Sequence, residues 1–266
     1  MKIKKLAIAG CGKLAEIVAD ALISGLLPDY RLVGVWSRTH TKAKHLANKI
    51  QSSDGGSECT ACSSLEELLA LKPDYLVESA SPSALKELAL PTLRNGTSIV
   101  TLSIGALADS GFYEEVINTA RETGTRVHLV PGAIGGFDVL RTASLMGNCT
   151  ASIDTQKGPD SLKGTAKYDE ALQTETRRVF EGSAKEAIAL FPTKVNVAVA
   201  ASLASVGPEA MKVSVTSTPG YIGDKHRVEI SNDRIHAVIE VYSETSEIAG
   251  WSVVNTLRNI TSPIVF

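Results

Sequence analysis

The sequence predicts an α/β protein in which a doubly wound parallel sheet is followed by a second, α+β domain with a mixed or antiparallel sheet. In the first half, short apolar runs alternate with amphipathic runs of helical spacing, a pattern typical of parallel βαβ units. After Pro131 the apolar runs follow one another, and Asn232-Asp233 marks a hairpin. The predicted boundaries are 1–131 for the first domain, 132–242 for the second, and 243–266 for a C-terminal helix that packs back on the body of the chain.

Length and composition limit the classes of protein to which the chain can belong. Its 266 residues, 44% of them hydrophobic, are enough for two modest domains with substantial cores. The net charge of −2 gives no field that would attract nucleic acid, and the apolar runs are too short to span a bilayer. The basic residues Lys2, Lys4 and Lys5 are not followed by the apolar segment of a signal peptide. We therefore expect a cytoplasmic protein that binds neither nucleic acid nor membranes.

Capping and stop signals delimit the elements of the first domain. Ser64, with Glu67 three residues later, forms a capping-box pattern, and Pro82 suits the first turn of a helix. Pro91 predicts a kink or a break in that helix. The predicted strands span 6–9, 31–36, 74–78, 98–102 and 126–130, and the predicted helices span 14–26, 41–50, 65–71, 82–94 and 114–122.

The second domain begins with a glycine-rich turn, Gly132-Ala133-Ile134-Gly135-Gly136, ahead of a helix that ends near Met146. Runs of apolar and β-branched residues predict strands, and Pro192 separates two helical segments. The predicted strands span 150–156, 211–218, 227–231 and 234–242, and the predicted helices span 185–189, 195–205 and 247–260.

A glycine motif follows the first strand, at the point where the first helix begins. Residues 10–15 read Gly-Cys-Gly-Lys-Leu-Ala, the G-x-G-x-x-A pattern of Rossmann-type dinucleotide-binding folds. Gly10 permits the tight turn, Gly12 lets the backbone approach a pyrophosphate, and the N-terminus of the helix attracts the phosphates. We expect Gly10, Gly12, Lys13 and Leu14 to bind the cofactor. The alternative is a glycine turn in another kind of α/β protein.

The residues after the second strand indicate which dinucleotide is bound. Sites that prefer NAD usually place an acidic residue here, on the ribose 2′-hydroxyl, whereas this chain has Ser37 and Arg38. A hydroxyl and a guanidinium suit a 2′-phosphate, so the pattern predicts NADP as the preferred cofactor, with NAD as the alternative. The other interpretation of Arg38 is a solvated residue ahead of a helix.

Small residues follow the next two strands of the predicted sheet. Ser79, Ala80 and Ser81 come after one strand, and Ser103 and Gly105 come after the next. Because ligands of open α/β sheets bind at the carboxyl ends of the strands, we expect these loops to leave room for the ribose and the nicotinamide. Taken singly, either loop is also compatible with a plain turn.

The four cysteines include a pair with the spacing of redox pairs and of half zinc sites. Cys59 and Cys62 form this C-x-x-C pair, while Cys11 lies in the glycine motif and Cys149 lies in the second domain. No second pair and no nearby histidine completes a metal site. We therefore expect two reduced thiols in a surface segment, and no bound metal.

Several segments resemble a known family, in order, over nearly the whole chain. The resemblance is to L-aspartate dehydrogenases, and it implies a Rossmann domain joined to an α/β catalytic domain, usually in a homodimer. It also implies interconversion of L-aspartate with oxaloacetate and ammonia by NAD or NADP, through an imino-aspartate that can feed NAD biosynthesis. The segments that carry it are Glu78-Ser79-Ala80-Ser81, Leu102-Ser103-Ile104-Gly105-Ala106-Leu107, Pro131-Gly132-Ala133-Ile134-Gly135-Gly136-Phe137-Asp138, Phe180-Glu181-Gly182-Ser183-Ala184, Asn196-Val197 and Asp224-Lys225-His226.

Oxidation of an amino acid needs a group that exchanges protons near neutral pH, and histidine is the natural choice. Of the five histidines, His40 and His45 lie on a polar helix, His128 lies in a strand, and His236 lies on the outer part of the hairpin. The resemblance places the catalytic histidine at His226. The alternative is a strand residue whose ring only packs.

The resemblance also implies three substrate-binding residues. Asn196 would bind a substrate carboxylate or orient water, unless it simply caps a helix. Lys157 would pair with the second carboxylate of a dicarboxylic amino acid, unless it is a solvated surface lysine. Ala133 is assigned to both the substrate site and the cofactor site.

The chain departs from the family pattern at several positions. Pro131 runs directly into Gly132, where the family usually has an intervening serine. The family's Lys-Pro-Pro is Lys157-Gly158-Pro159, its Asp-Pro before the histidine is Thr218-Pro219, and its Asn-Pro-x-Thr-Ser is replaced by residues 243–246. Two alternatives therefore stay open: a dehydrogenase or reductase of another small amino or imino acid, and an NAD(P)-binding protein without turnover.

Overall fold

The computed structural model describes residues 3–53, 56–192 and 195–266. The chain divides into two compact units, one of Met1–Val130 with Ala249–Phe266 and one of Pro131–Ile248. Each unit has its own sheet and its own hydrophobic core. Within the described ranges, no helix combines the length and the apolar character needed to cross a membrane.

The first unit is built on a six-stranded sheet. Its strands are β1 (Lys4–Ala9), β2 (Tyr30–Trp36), β3 (Thr60–Cys62), β4 (Tyr75–Glu78), β5 (Ser98–Thr101) and β6 (Val127–Leu129). The strand order is β3-β2-β1-β4-β5-β6 and every pairing is parallel. The sheet therefore grows outward in both directions from β1 and β4, which confirms the predicted doubly wound arrangement.

The helices of the first unit follow the predicted pattern, with two differences. Glu67 donates its backbone N–H to the Ser64 hydroxyl, but its carboxylate binds Ser63 and does not complete the capping box. Pro91 does not break its helix, because it lies in the last turn, where the loss of one donor leaves the earlier turns paired. The helices are α1 (Lys13–Ile23), α2 (His40–Gln51), α3 (Leu65–Ala70), α4 (Pro82–Arg94) and α5 (Ser110–Thr123).

The expected surface location of Cys59 and Cys62 is wrong. Both thiols are buried, because Cys62 belongs to β3, a strand that the sequence did not predict and that α2 and α3 contact. Burial raises the pKa of the Cys59 thiol to about 12 and that of the Cys62 thiol to about 11. Both therefore stay protonated at neutral pH and lack the thiolate that redox exchange requires.

The second unit contains a mixed sheet, as predicted, but the sheet has five strands where the sequence predicted four. Its strands are β7 (Thr150–Lys157), β8 (Arg177–Ser183), β9 (Lys212–Ser217), β10 (Asp224–Ser231) and β11 (His236–Ser243), and its helices are α6 (Phe137–Leu145), α7 (Ala184–Leu190) and α8 (Asn196–Leu203). The strand order is β11-β10-β7-β9-β8, in which only the pairing of β7 with β9 is parallel. The Asn232 side chain accepts the N–H groups of Arg234 and Ile235 and closes the predicted hairpin.

One face of this sheet forms the core of the second unit. Ile153, Val213 and Val228 are fully or almost fully buried there, in one cluster with residues of the three helices. The sequence did not predict β8, because it is an edge strand with charged residues and an irregular register between Arg178 and Phe180. Such a strand lacks the clean alternation by which strands are recognised.

The last helix, α9 (Glu247–Thr261), returns to the first unit from Ala249 onward. Val253, Val254 and Leu257 are buried in the core of that unit. The Tyr30 hydroxyl donates a hydrogen bond of 2.8 Å to the Leu257 carbonyl oxygen. A buried contact of this kind anchors the helix to β2.

Candidate active site

The glycine motif forms a sharp turn between β1 and α1. Gly10 has a φ of +95°, and a Cβ at this position would lie 2.7 Å from the Ala80 backbone nitrogen. At Gly12, a Cβ would meet no atom within 4 Å, so open space adjoins the turn. Gly12 is also the N-cap of α1 and supplies no side-chain cap. The first amides of α1 thus remain available for an anion, which is what a bound pyrophosphate requires.

A cleft of about 280 Å³ adjoins this turn and contains most of the residues predicted to bind the adenosine half of a dinucleotide. Arg38 is exposed at its edge, with Ser37 beside it. Lys42, in the first turn of α2, adds a second cation, and Glu87 of α4 also borders the cleft. The lining residues are Gly10, Cys11, Gly12, Trp36, Ser37, Arg38, Thr39, Lys42, Ser79, Ala80, Ser83, Ala84 and Glu87.

The other predicted cofactor residues lie outside this lining. Lys13 and Leu14 form the start of α1, and Ser81 caps α4 by accepting the Ala84 N–H. Ser103 is buried, and its hydroxyl donates to the Glu78 carboxylate at 2.9 Å. Gly105 lies in the short 3-10 turn that follows. The sequence did not point to Lys42, which lies in the first turn of α2 and lines the same cleft as Arg38.

In the second unit, the buried face of the sheet changes from apolar to polar toward one end. The paired strands β7 and β10 place Ile153 opposite Val228 in the core. The next pair on the same face is Thr155 with His226. The pair after it is Lys157 with Asp224. Two buried ionisable side chains, His226 and Lys157, with the partly exposed Asp224 beside them at the end of an apolar face, are typical of a functional site.

His226 is 3% exposed, and its Nδ1 lies 2.9 Å from the Thr155 hydroxyl oxygen. Burial lowers the pKa of His226 to about 4; the nearby Lys157 adds to this shift, while Asp224 opposes it. The imidazole is therefore neutral at pH 7, with one nitrogen as donor and the other as acceptor. A threonine hydroxyl can donate to Nδ1 or accept from it, so it serves either tautomer. The sequence did not point to Thr155.

The structure contradicts two of the alternatives considered for substrate residues. Lys157 is 3% exposed, with its Nζ 3.4 Å from an Asp224 carboxylate oxygen, so it is not a solvated surface lysine. The N-cap of α8 is Val195, so Asn196 is the first helical residue and not the cap. Ala133 lies in the turn ahead of α6, where Ile134 donates its N–H to the Pro131 carbonyl oxygen.

The remaining histidines lie in other surroundings. His40 and His45 are exposed on α2, and His236 is exposed on β11, where it contacts Glu229 at 2.8 Å. His128, on β6, packs against the Tyr75 ring. In the described ranges, no group of three or more His, Cys, Asp and Glu side chains is placed to hold a metal ion.

The fold and the cleft define a class: a protein with a Rossmann-type domain for binding a dinucleotide. Residues 10–130 match the NAD-binding domain of homoserine dehydrogenase, and residues 138–260 match the C-terminal domain of aspartate dehydrogenase. An L-aspartate dehydrogenase of Methanococcus maripaludis is 30% identical, with 98% of each chain covered, and one of Methanosarcina mazei is 31% identical at the same coverage. The chain therefore belongs to the aspartate dehydrogenase family, among the NAD(P)-dependent amino-acid dehydrogenases.

Solved structures agree with this assignment. The aspartate dehydrogenase of Thermotoga maritima has a TM-score of 0.76 and 28% identity, with 99% of each chain covered. An amine dehydrogenase of Mycobacterium smegmatis has a TM-score of 0.58 but only 14% identity, over 98% of this chain and 93% of that one. The second likeness concerns the fold alone.

The buried state of His226 predicts how stability depends on pH. Its pKa is lower in the folded protein than the ordinary value of about 6.5 in an unfolded chain, so the unfolded chain takes up the proton first. The free energy of unfolding should therefore keep its full value above pH 6.5 and decrease as the pH drops toward 4. At 1.36 kcal/mol per pKa unit, this group accounts for a decrease of roughly 3 kcal/mol. Chemical denaturation at a series of pH values should show a shallower fall for His226→Asn. His236→Asn, at an exposed site, should leave the slope unchanged, and equal slopes for wild type and His226→Asn would contradict the buried neutral imidazole.

Proposed function

We propose that the protein interconverts L-aspartate with oxaloacetate and ammonia, with NADP as the preferred cofactor and NAD as the weaker one. The observation that carries this proposal is the cluster of buried His226, Thr155 and Lys157, with the partly exposed Asp224 beside them, in a unit that matches aspartate dehydrogenases. A buried lysine next to a buried histidine suits a substrate that brings its own negative charge. Relatives named L-aspartate dehydrogenase match the chain over nearly its full length.

The cofactor site fits a dinucleotide that carries a 2′-phosphate. The turn at Gly12 leaves space and free amides for the pyrophosphate. Arg38 and Lys42 line the cleft where the adenosine ribose would lie. Sites that prefer NAD usually have an acidic residue after the second strand, where this chain has Ser37 and Arg38. When bound, the nicotinamide supplies the redox step, the removal of a hydrogen with its electron pair from the substrate Cα.

His226 would move the protons of the reaction. In the oxidative direction its neutral ring accepts a proton from the substrate amine or from the attacking water, and in the reductive direction the protonated ring returns it. The low pKa of His226, caused mainly by burial, keeps the ring neutral and ready to accept at neutral pH. Lys157 would hold the second carboxylate, Asn196 would bind a carboxylate or orient water, and Ala133 would border both substrate and cofactor.

A substrate panel tests the function. L-aspartate, other small amino acids, and the corresponding keto acids with ammonia are offered with NADP(H) and with NAD(H), and the nicotinamide absorbance is followed. We expect the highest kcat/KM for L-aspartate or oxaloacetate. A higher value for another amino or imino acid would overturn the substrate assignment. Cofactor binding without turnover of any member would indicate a catalytically silent NAD(P)-binding protein.

The cofactor preference predicts a selective effect at Arg38. Arg38→Ala should weaken NADP binding by about 1.5–3 kcal/mol, the range for a hydrogen bond to a charged group, because the 2′-phosphate loses its guanidinium partner. NAD, which has no 2′-phosphate, should bind almost as before. Titration calorimetry with both cofactors measures the two affinities. Lys44→Ala removes the same charge from an exposed site on α2 outside the cleft and serves as the control. Equal losses for NADP and NAD would show that the preference lies elsewhere.

The role of His226 predicts a loss of turnover without a loss of cofactor binding. His226→Ala should lower kcat by about 10²–10⁴-fold, the usual contribution of general acid–base catalysis, and leave NADP affinity nearly unchanged. In the wild type, the acid limb of kcat/KM should lie well below pH 6.5, since the pKa of the histidine is lowered. His236→Ala, at an exposed histidine on the neighbouring strand, is the control. A folded, cofactor-binding and fully active His226→Ala variant would mean that the ring only packs.

Further parts of the proposal rest on the family resemblance. We expect a cytoplasmic homodimer formed through the sheet of the second unit, and a product that can feed NAD biosynthesis. The face of that sheet opposite the helices carries Arg178, Lys225, Arg227 and Glu240, which line an open polar depression. Light scattering should give a mass close to twice the 28.1 kDa of one chain. A single-chain mass at working concentration would contradict the dimer.

A further inference from the structure

Glu78 is a buried carboxyl group whose hydrogen-bond partners among the described residues are all uncharged. It ends β4 and has no exposed surface. Every group that hydrogen-bonds to it among the described residues is an N–H or an O–H. One oxygen, Oε1, accepts from the Ala80 N–H at 2.8 Å, the Ser81 N–H at 3.1 Å and the Ser103 hydroxyl at 2.9 Å. The other, Oε2, accepts from the Thr101 hydroxyl at 2.6 Å and the Ser103 N–H at 3.3 Å.

Such a group is costly for the fold. Transfer of a carboxylate from water to a protein interior costs several kcal/mol unless its lone pairs are satisfied, and burial raises the pKa of Glu78 while the surrounding hydrogen bonds oppose the rise. An apolar residue would fill the same space without that cost. The carboxylate is therefore best explained by what its hydrogen bonds organise.

Those hydrogen bonds connect two loops at the switch point of the sheet. β4 lies between β1 and β5, and the loops that follow β4 and β5 begin at Ser79 and Leu102. In a doubly wound sheet, the half that begins with β4 holds the second mononucleotide, the one that carries the nicotinamide. Glu78 thus connects the two loops through hydrogen bonds to Ala80, Ser81 and Ser103.

The two loops depend on Glu78 to different degrees. The loop after β4 has further anchors, since Ser79 donates its hydroxyl to the Gly10 carbonyl at 2.8 Å and its N–H to the Ala9 carbonyl at 3.0 Å. The Ser103 hydroxyl donates to the Glu78 carboxylate. The Ser103 N–H donates both to Glu78 and to the Thr101 hydroxyl, and that hydroxyl donates in turn to Glu78. The loop after β5 is therefore the more dependent one.

We propose that Glu78 is a positioning residue which fixes the turn at Ser103 for the nicotinamide half of the cofactor, while the adenosine half is held independently. This rests on the proposed placement of the cofactor over the carboxyl ends of β1, β4 and β5. Glu78 touches neither cofactor nor substrate in this arrangement. It acts through the backbone and hydroxyl of Ser103.

Glutamine at position 78 would replace one accepting oxygen with an amide nitrogen that can only donate. The amide nitrogen of Gln would face backbone N–H donors on either side. In the position of Oε1, the amide nitrogen would face two backbone donors, the N–H groups of Ala80 and Ser81. In the position of Oε2, it would face one, the N–H group of Ser103. The side chain will therefore turn its nitrogen toward Ser103, and the disturbance will fall on the nicotinamide side.

The experiment compares two ligands by titration calorimetry. NADP occupies both halves of the site, whereas adenosine 2′,5′-bisphosphate occupies only the adenosine half. Glu78→Gln should weaken NADP by about tenfold, the equivalent of about 1.4 kcal/mol or one hydrogen bond. The bisphosphate should bind within about twofold of its wild-type affinity. Equal losses for the two ligands, or no loss for either, would overturn the proposal.

A second variant keeps the test decisive if Glu78→Gln does not fold. Thr101→Val preserves shape at a fully buried site and removes the hydroxyl that links Glu78 to the Ser103 N–H, so it should give the same selective loss of NADP affinity. Thr97→Val is the matched control. It removes another fully buried threonine hydroxyl, bonded to the Pro73 carbonyl, and should lower the melting temperature without separating the two ligands. L-aspartate turnover is measured separately on the wild type. A wrong substrate assignment would show as a lack of L-aspartate turnover and would leave the affinities for NADP and the bisphosphate unchanged.

Discussion

The contact between the Gly10 turn and the loop after β4 is the constraint on which the first unit depends. The turn approaches so closely that a Cβ at Gly10 would lie 2.7 Å from the Ala80 nitrogen, and the Ser79 hydroxyl closes the contact by donating to the Gly10 carbonyl. Because β1 and β4 flank the point where the sheet reverses its growth, this contact joins the two halves of the dinucleotide site. Glu78 extends the same contact to the loop after β5.

In the second unit, strand register fixes the positions of the candidate site residues. An antiparallel pair places residues opposite each other at fixed positions, and a shift of one residue would turn every side chain to the other face. The apolar pair of Ile153 and Val228 therefore fixes the position of Thr155 with His226 further along the same face. Core packing thus sets the distance between the hydroxyl and the imidazole, and burial then determines that the ring is neutral.

The sequence was sufficient for the parts of the molecule that follow from local patterns. The glycine motif, the alternation of strands and helices and the Asn232 hairpin signal all act within a few residues, and the structure agrees with each. The burial of Cys59 and the strand β8 were missed, because both depend on what packs against a segment and not on its own pattern. Lys42 and Thr155 were missed for a similar reason: each becomes significant only through a residue brought near it by the fold.

The pair of Lys157 and Asp224 places a buried cation beside a carboxylate that is only partly buried. Lys157 is almost fully buried, whereas Asp224 is 38% exposed, so the negative partner is the one that solvent can reach. Their separation of 3.4 Å is longer than that of a strong charge-assisted hydrogen bond, and an ammonium group has three donors. Asp224 therefore compensates part of the charge of the buried ammonium group. The compensating carboxylate lies on the neighbouring strand, directly opposite Lys157 in the β7–β10 pairing. The fold thus holds a buried lysine two residues along β7 from Thr155, the hydrogen-bond partner of His226.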